Sequence, residues 1–253
     1  MSVRAIISFL ILSLGLPVAS FASKAVQPHG GGYSAGGYIL AKPRKASIRG
    51  IVFKRLNLEI GVGGLVVNVA TESQDVFEKF RALDSTKNYV FEYVYPSDIR
   101  PKFADSHIIV TDIHEVSDNQ YAVAGAEVRD LDGRNGYKSE GTAEGTIIAV
   151  ERWTGVTRIF DTVCNVFVVG QNGFDGIQQQ GPQFDEDGQL IKFNPNHVLY
   201  EKFDGYSVYE ERACRFAENA LKSAKVVEVD YTEDFVEYWD ILKFGAKAIR
   251  IVK

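Results

Sequence analysis

Tyr89, Phe91, Tyr93 and Tyr95 alternate with Val90, Glu92 and Val94 along one short run. Alternation places all four rings on one face of a β-strand. There they can stack flat ligands such as sugars or bases, or pack beneath a helix with the tyrosine hydroxyls at the rim. A corresponding run later in the chain keeps only Tyr231 of the four. A second concentration of chemistry lies in Glu228-Val-Asp-Tyr-Thr-Glu-Asp-Phe-Val-Glu-Tyr-Trp-Asp240. Paired carboxylates beside Tyr238 and Trp239 suit glycoside hydrolysis, in which two carboxyl groups flank the scissile bond. A solvated acidic hairpin accounts for the same residues without catalysis.

Metal chemistry is poorly supported. Asp130-Leu-Asp-Gly-Arg-Asn-Gly136 resembles the opening of a calcium loop, but the twelfth position, which needs a carboxylate, is Gly141. A turn rich in Asp and Gly explains it better. Of the histidines at 29, 107, 114 and 197, His114 shares a strand face with Asp112, and two ligands do not make a site. No cofactor is expected. The chain has no Gly-x-Ser-x-Gly elbow, no phosphate loop, no His-Glu-x-x-His and no Cys-x-x-Cys. Gly61-Val-Gly-Gly64 reads as strand interior with no glycine-rich helix opening after it, which argues against a dinucleotide site.

The net charge of −5 argues against nucleic-acid partners, since phosphate backbones repel an acidic surface. Residues 1–22 read as a signal peptide: Arg4, an apolar run from Ala5 to Val18, then small residues at Ser20 and Ala22. About 14 apolar residues fall short of the roughly 20 that span a bilayer. No later segment reads as a span, so the mature chain is expected to be exported, periplasmic or secreted. In such a compartment the two cysteines, Cys164 and Cys214, are a candidate disulfide between a strand and a helix.

The elements that must position these groups are mainly strands, with two short helices. Residues 23–46 are glycine-rich and basic and read as a flexible linker. Strands are expected over Ile48–Leu56 and Glu59–Ala70, with a turn at Asn57. Thr71 with Gln74 suggests a capped helix, followed by strands over Asn88–Tyr95 and His107–Val116. The second half repeats the order: strands over Thr142–Arg152 and Val156–Val169, a helix capped by Ser207 with Glu210, then strands over Val226–Tyr231 and Ala246–Val252. Ala82–Tyr93 aligns without gaps on Ala220–Tyr231, and Gly50–Arg55 is similar to Gly145–Arg152, suggesting a tandem duplication.

Each unit runs strand–strand, helix, strand–strand, which resembles in element order the OB-fold, where a helix falls between the third and fourth of five strands. The resemblance implies two OB-like barrels, over 47–130 and 131–253, the second carrying an insertion at about 170–205. The strand near Tyr121–Arg129 fits either one. The function expected is non-catalytic binding or assembly, with a protein or glycan partner engaged through barrel faces. A secreted hydrolase and an oligomeric, toxin-like surface subunit are the alternatives.

Overall fold

The computed structural model describes residues 33–50, 55–96, 108–131, 137–153, 162–170, 203–234, 242 and 244–252. The signal peptide, most of the insertion at 170–205, and Glu237, Tyr238 and Trp239 lie outside them. The described residues are mainly β, with two helices among them. The first half holds β1 (Tyr33–Arg49), β2 (Arg55–Val62), β3 (Leu65–Thr71), α1 (Gln74–Arg81), β4 (Tyr89–Pro96) and β5 (Ile109–Glu115). The second holds β6 (Glu127–Val128), β7 (Tyr137–Trp153), β8 (Cys164–Gly170), β9 (Asp204–Val208), α2 (Glu211–Lys222), β10 (Val226–Asp234) and β11 (Phe244–Ile251).

Strand pairing makes two closed circuits. β1 pairs β2, β2 pairs β3, β3 touches β5 in parallel, β5 pairs β4, and β4 returns to β1. The second circuit runs β7, β8, β9, β11, β10 and back to β7, again with its single parallel contact between third and fifth strands. Antiparallel pairing of β1 with β7, from Ala35↔Trp153 to Ile39↔Ala149, joins the circuits into one sheet. β6 adds to the edge of β11 and so belongs to the second circuit.

Among the described residues, regular structure is therefore present from Tyr33, not only from near Ser47. The glycine-rich stretch expected to be a linker is, from residue 33 onward, the central strand of the molecule. Its glycines serve packing: a Cβ on Gly37 would lie 2.0 Å from the Val150 carbonyl oxygen. Two further expectations shift for local reasons. Asn57 lies within β2, and the hairpin turns at Gly63 and Gly64, whose φ values of 51° and 92° suit a two-residue loop. Gly61-Val-Gly-Gly64 is thus partly a turn, not strand interior.

The helix caps also differ from expectation. Ser73, not Thr71, caps α1, its Oγ accepting from the Val76 amide at 3.3 Å. Thr71 instead donates to the Val110 carbonyl at 2.9 Å, tying β3 to β5. In the second half Ser207 is buried in β9, and α2 starts after Glu210 with no side-chain cap bond. There the helix is held by packing and by a covalent bond. Cys164 in β8 and Cys214 in α2 form a disulfide with Cα atoms 6.0 Å apart.

α1 covers the first circuit with Val76, Phe77 and Phe80, and α2 covers the second with Ala213, Cys214, Ala217, Ala220 and Leu221. Tyr38, Leu40 and Val90, on the outer face of β1 and β4, join the second core beneath α2. The circuits thus share packing as well as hydrogen bonds. Ala82–Tyr93 and Ala220–Tyr231 both run from a helix end into the next strand. Gly145–Arg152 lies inside β7, whose counterpart by pairing is β1, whereas Gly50–Arg55 follows β1. The upstream similarity therefore joins non-equivalent positions. Among the described residues, no helix is long and apolar enough to cross a membrane.

Candidate functional site

The aromatic row of β4 is core. Tyr89, Phe91, Tyr93 and Tyr95 are at most 9% exposed, so no ring face is offered to a ligand from the surface. Phe91 packs on Phe80 of α1, with ring centroids 5.9 Å apart. At Tyr89 and Tyr93 a tyrosine serves where a phenylalanine would not, because the hydroxyl reaches a polar partner. Tyr93 donates to the buried Glu151 carboxylate at 3.1 Å, and Tyr89 accepts from the Asp84 amide at 3.2 Å. On the opposite face Glu92 lies 3.4 Å from His114, which is also 3.7 Å from Asp112. Lys79 of α1 holds Asp112 at 3.0 Å. Burial raises the Asp112 pKa, but hydrogen bonds from Lys79 and the Ile113 amide outweigh it and keep the carboxyl below its usual range. Among the described residues no group of three or more His, Cys, Asp or Glu is arranged to hold a metal.

Tyr231 behaves differently from its four counterparts. It is half-buried, and it lines a groove of about 520 Å3 across β6, β7, β10 and β11. That volume is within the roughly 300–1,000 Å3 of small-ligand sites. Two local irregularities open it. Between Asp230↔Ala248 and Tyr231↔Ala246 the register shifts, leaving Lys247 as an extra residue in β11. Such bulges re-aim side chains and end regular pairing. The carbonyl of Lys247 accepts from the Leu131 amide at 3.1 Å, docking the segment after β6 against the bulge. In that segment Asp130 has φ 53°, a left-handed conformation uncommon outside glycine. Arg212 of α2 pins it by donating to the carbonyls of Arg129 at 2.8 Å and Asp130 at 3.3 Å.

A second glycine completes the wall. Tyr231 faces Gly141 of β7 across the strands, and a Cβ at Gly141 would meet its hydroxyl oxygen at 2.6 Å. The tyrosine ring therefore spreads over the glycine. Phe244 meets it edge-on at 4.9 Å and Tyr206 backs it at 5.4 Å, so the ring is held in place.

Most of the charges around this ring are held by a partner. Arg250 bridges Glu127 at 3.0 Å and Glu228 at 2.5 Å. Arg129 pairs with Glu127, and Lys247 with Glu140 at 3.6 Å. Thr142 donates to Asp230 at 2.7 Å. Hydrogen bonding from Arg250, seconded by Arg129, holds the Glu127 carboxyl below the ordinary range, and Glu127 in turn raises Arg250. A general acid needs the opposite, a carboxyl pushed upward by its surroundings. Of the acids flagged on β10, Asp230 lines the groove. Glu228 is held by Arg250, and Glu233 accepts from Ser139 at 2.5 Å.

No family model matches the chain, and no curated protein matches it.

A second polar cluster lies where the circuits meet. Arg152 of β7 pairs with the buried Glu218, and with Glu211 at 2.7 Å. The Lys222 ammonium sits 3.8 Å from the centre of the Tyr38 ring. Burial pushes the Tyr38 phenol up and the Lys222 amine down. Burial also works against the charge on Arg152, but Glu218 and Glu211 outweigh it and raise its pKa. This cluster clamps α2 onto the joint.

Sequence reasoning named Asp230 and Tyr231 of the groove and flagged the Asp130 turn. It missed Arg129, Glu140, Lys247 and Arg250. They come from separate strands, and only the period-two alternation around Glu228, Asp230 and Arg250 hinted at a shared outer face.

Proposed function

We propose that this chain is an exported, non-catalytic binding or assembly protein, built from two OB-like barrels, whose partner is a protein or a glycan. Each circuit has five strands with a helix between the third and fourth, the element order of that fold. The identical pairing order of the halves supports descent by duplication. The apolar leader favours export, and the disulfide and the lack of a membrane-spanning helix among the described residues are compatible with it.

The observation that carries the binding reading is the groove. Its Glu127, Glu140 and Asp230 carboxylates are clasped by Arg250, Lys247 and Thr142, which suits a fixed recognition surface and works against acid–base catalysis. The test is affinity capture of the exported protein from its own cell envelope, with Lys247→Glu as control. One stoichiometric partner, or one bound glycan, lost in the control is the expected result. Recovery of nothing, together with turnover of a glycoside, would overturn the reading. N-terminal sequencing of the exported protein should begin at Ser23; an uncleaved Met1 would remove the export half of the proposal.

A further inference from the structure

The groove's charge pattern narrows the ligand class, given that the binding reading holds. An anion entering it would meet Glu127, Asp130, Glu140 and Asp230, while a cation would meet Arg129, Lys247 and Arg250. Four acids against three bases leave the lining one charge from neutral, and Glu127, Glu140, Arg129, Lys247 and Arg250 are already in ion pairs, so neither kind of ion gains a strong net attraction. A neutral ligand rich in hydroxyls is different. Each hydroxyl can donate to a clasped carboxylate and accept from a guanidinium or ammonium without separating a pair, because these groups have further lone pairs and protons to use. Water must be replaced group by group in such a site, and polyhydroxylated rings do that well.

Tyr231 supplies the other half of the recognition. A sugar ring has apolar C–H faces that pack on an aromatic ring, and this ring is immobilised by Phe244, Tyr206 and Gly141. Immobilisation before binding removes an ordering cost from association. The lip is equally fixed, since Arg212 holds the left-handed Asp130 segment. We infer that the groove between the β6 lip and β7 is a binding site for a neutral glycan, which stacks on Tyr231 and takes its hydrogen bonds from Asp230, Glu140 and Lys247.

The experiment is saturation-transfer NMR and calorimetry with neutral hexose and N-acetylhexosamine di- and trisaccharides. Sialylated and sulfated oligosaccharides serve as charged controls. Expected is binding of at least one neutral sugar, with an affinity nearly independent of salt, since no net charge is neutralised. Tyr231→Phe should retain it and Tyr231→Ala should weaken it by about tenfold or more. Because Tyr231 also packs on the core, Asp230→Asn and Lys247→Ala, both at the groove surface, are measured alongside and should each weaken binding about tenfold with the fold intact.

Unchanged binding in both surface variants, or preference for the charged sugars, would overturn the inference. So would no binding of any neutral sugar. If sugars fail while envelope capture still yields a protein lost in Lys247→Glu, the glycan inference falls and the binding reading stands. If both fail, the binding reading falls too.

Discussion

The first and second circuits share a pairing order but differ in what has been added to it. In the first, β2 and β3 turn through two glycines, the aromatic row points inward, and α1 is capped by Ser73. In the second, residues 171–203 separate β8 from β9, β6 extends the edge of β11, and a disulfide fastens the helix; both circuits carry a register shift at the equivalent place, with Thr111 the extra residue in β5 and Lys247 in β11. The strand equivalent to the aromatic row keeps Tyr231, which reaches a groove. The equivalent shift lies over a core in the first circuit and beside a groove in the second. The groove lies where that shift meets the lip added by β6.

Several measurements test this contrast. The largest effect is expected at the joint common to both circuits. Gly37→Val should cost at least about 4 kcal/mol or abolish folding, because its Cβ would overlap the Val150 carbonyl. Urea denaturation reads this directly, and near-wild-type stability would mean that the circuits do not depend on their shared strands. Next, Cys164→Ala with Cys214→Ala opens a loop of 50 residues and should cost about 4 kcal/mol. Hydrogen exchange should place the loss of protection in α2 and β8, with α1 and β4 little changed; equal loss in both would erase the distinction between the circuits.

A smaller effect is expected from Tyr93→Phe. It removes a hydroxyl donated to the buried Glu151 carboxylate and should cost about 1–3 kcal/mol, whereas a tyrosine facing solvent would cost almost nothing. The smallest effect concerns pH. Burial raises the Glu211 pKa, but Arg152 and Arg215 outweigh it and leave the carboxyl below its unfolded value. Asp112 in the first circuit is lowered as well. A carboxyl with a depressed folded pKa contributes stability that is complete above its unfolded value and is lost as pH falls through the folded one. Stability should therefore decline on acidification below the ordinary carboxylate range. Glu211→Gln and Asp112→Asn should each flatten part of that decline in urea titrations at successive pH values. An unchanged slope in Glu211→Gln would show that the joint cluster contributes nothing.

Much of the architecture was legible in the residues. The period-two alternation of Tyr89–Tyr95 and the 3.6-period stripe of Val76, Phe77 and Phe80 record which side of each element meets a core. These are local patterns, and the backbone geometry of strand and helix translates them directly. The two cysteines were also readable as a pair, since one lay in a strand pattern and one on a helix face. Residues 33–46 were not legible, because glycine in a flexible chain and glycine at a strand crossing look alike without the neighbour that demands it. That neighbour is Val150, more than a hundred positions away.

The sequence by itself determined the mainly β class, the presence of a helix among the strands of each half, and the common face of Tyr89, Phe91, Tyr93 and Tyr95. Tertiary structure alone decided the rest. It decided that β1 and β7 join the circuits, that Tyr89, Phe91, Tyr93 and Tyr95 are core, and that Tyr231 meets Arg129, Glu140, Lys247 and Arg250 in one groove. The physical reason is that a core face follows from periodicity within an element. A groove depends on which strands become neighbours, and hydrogen-bond pairing between distant segments sets that.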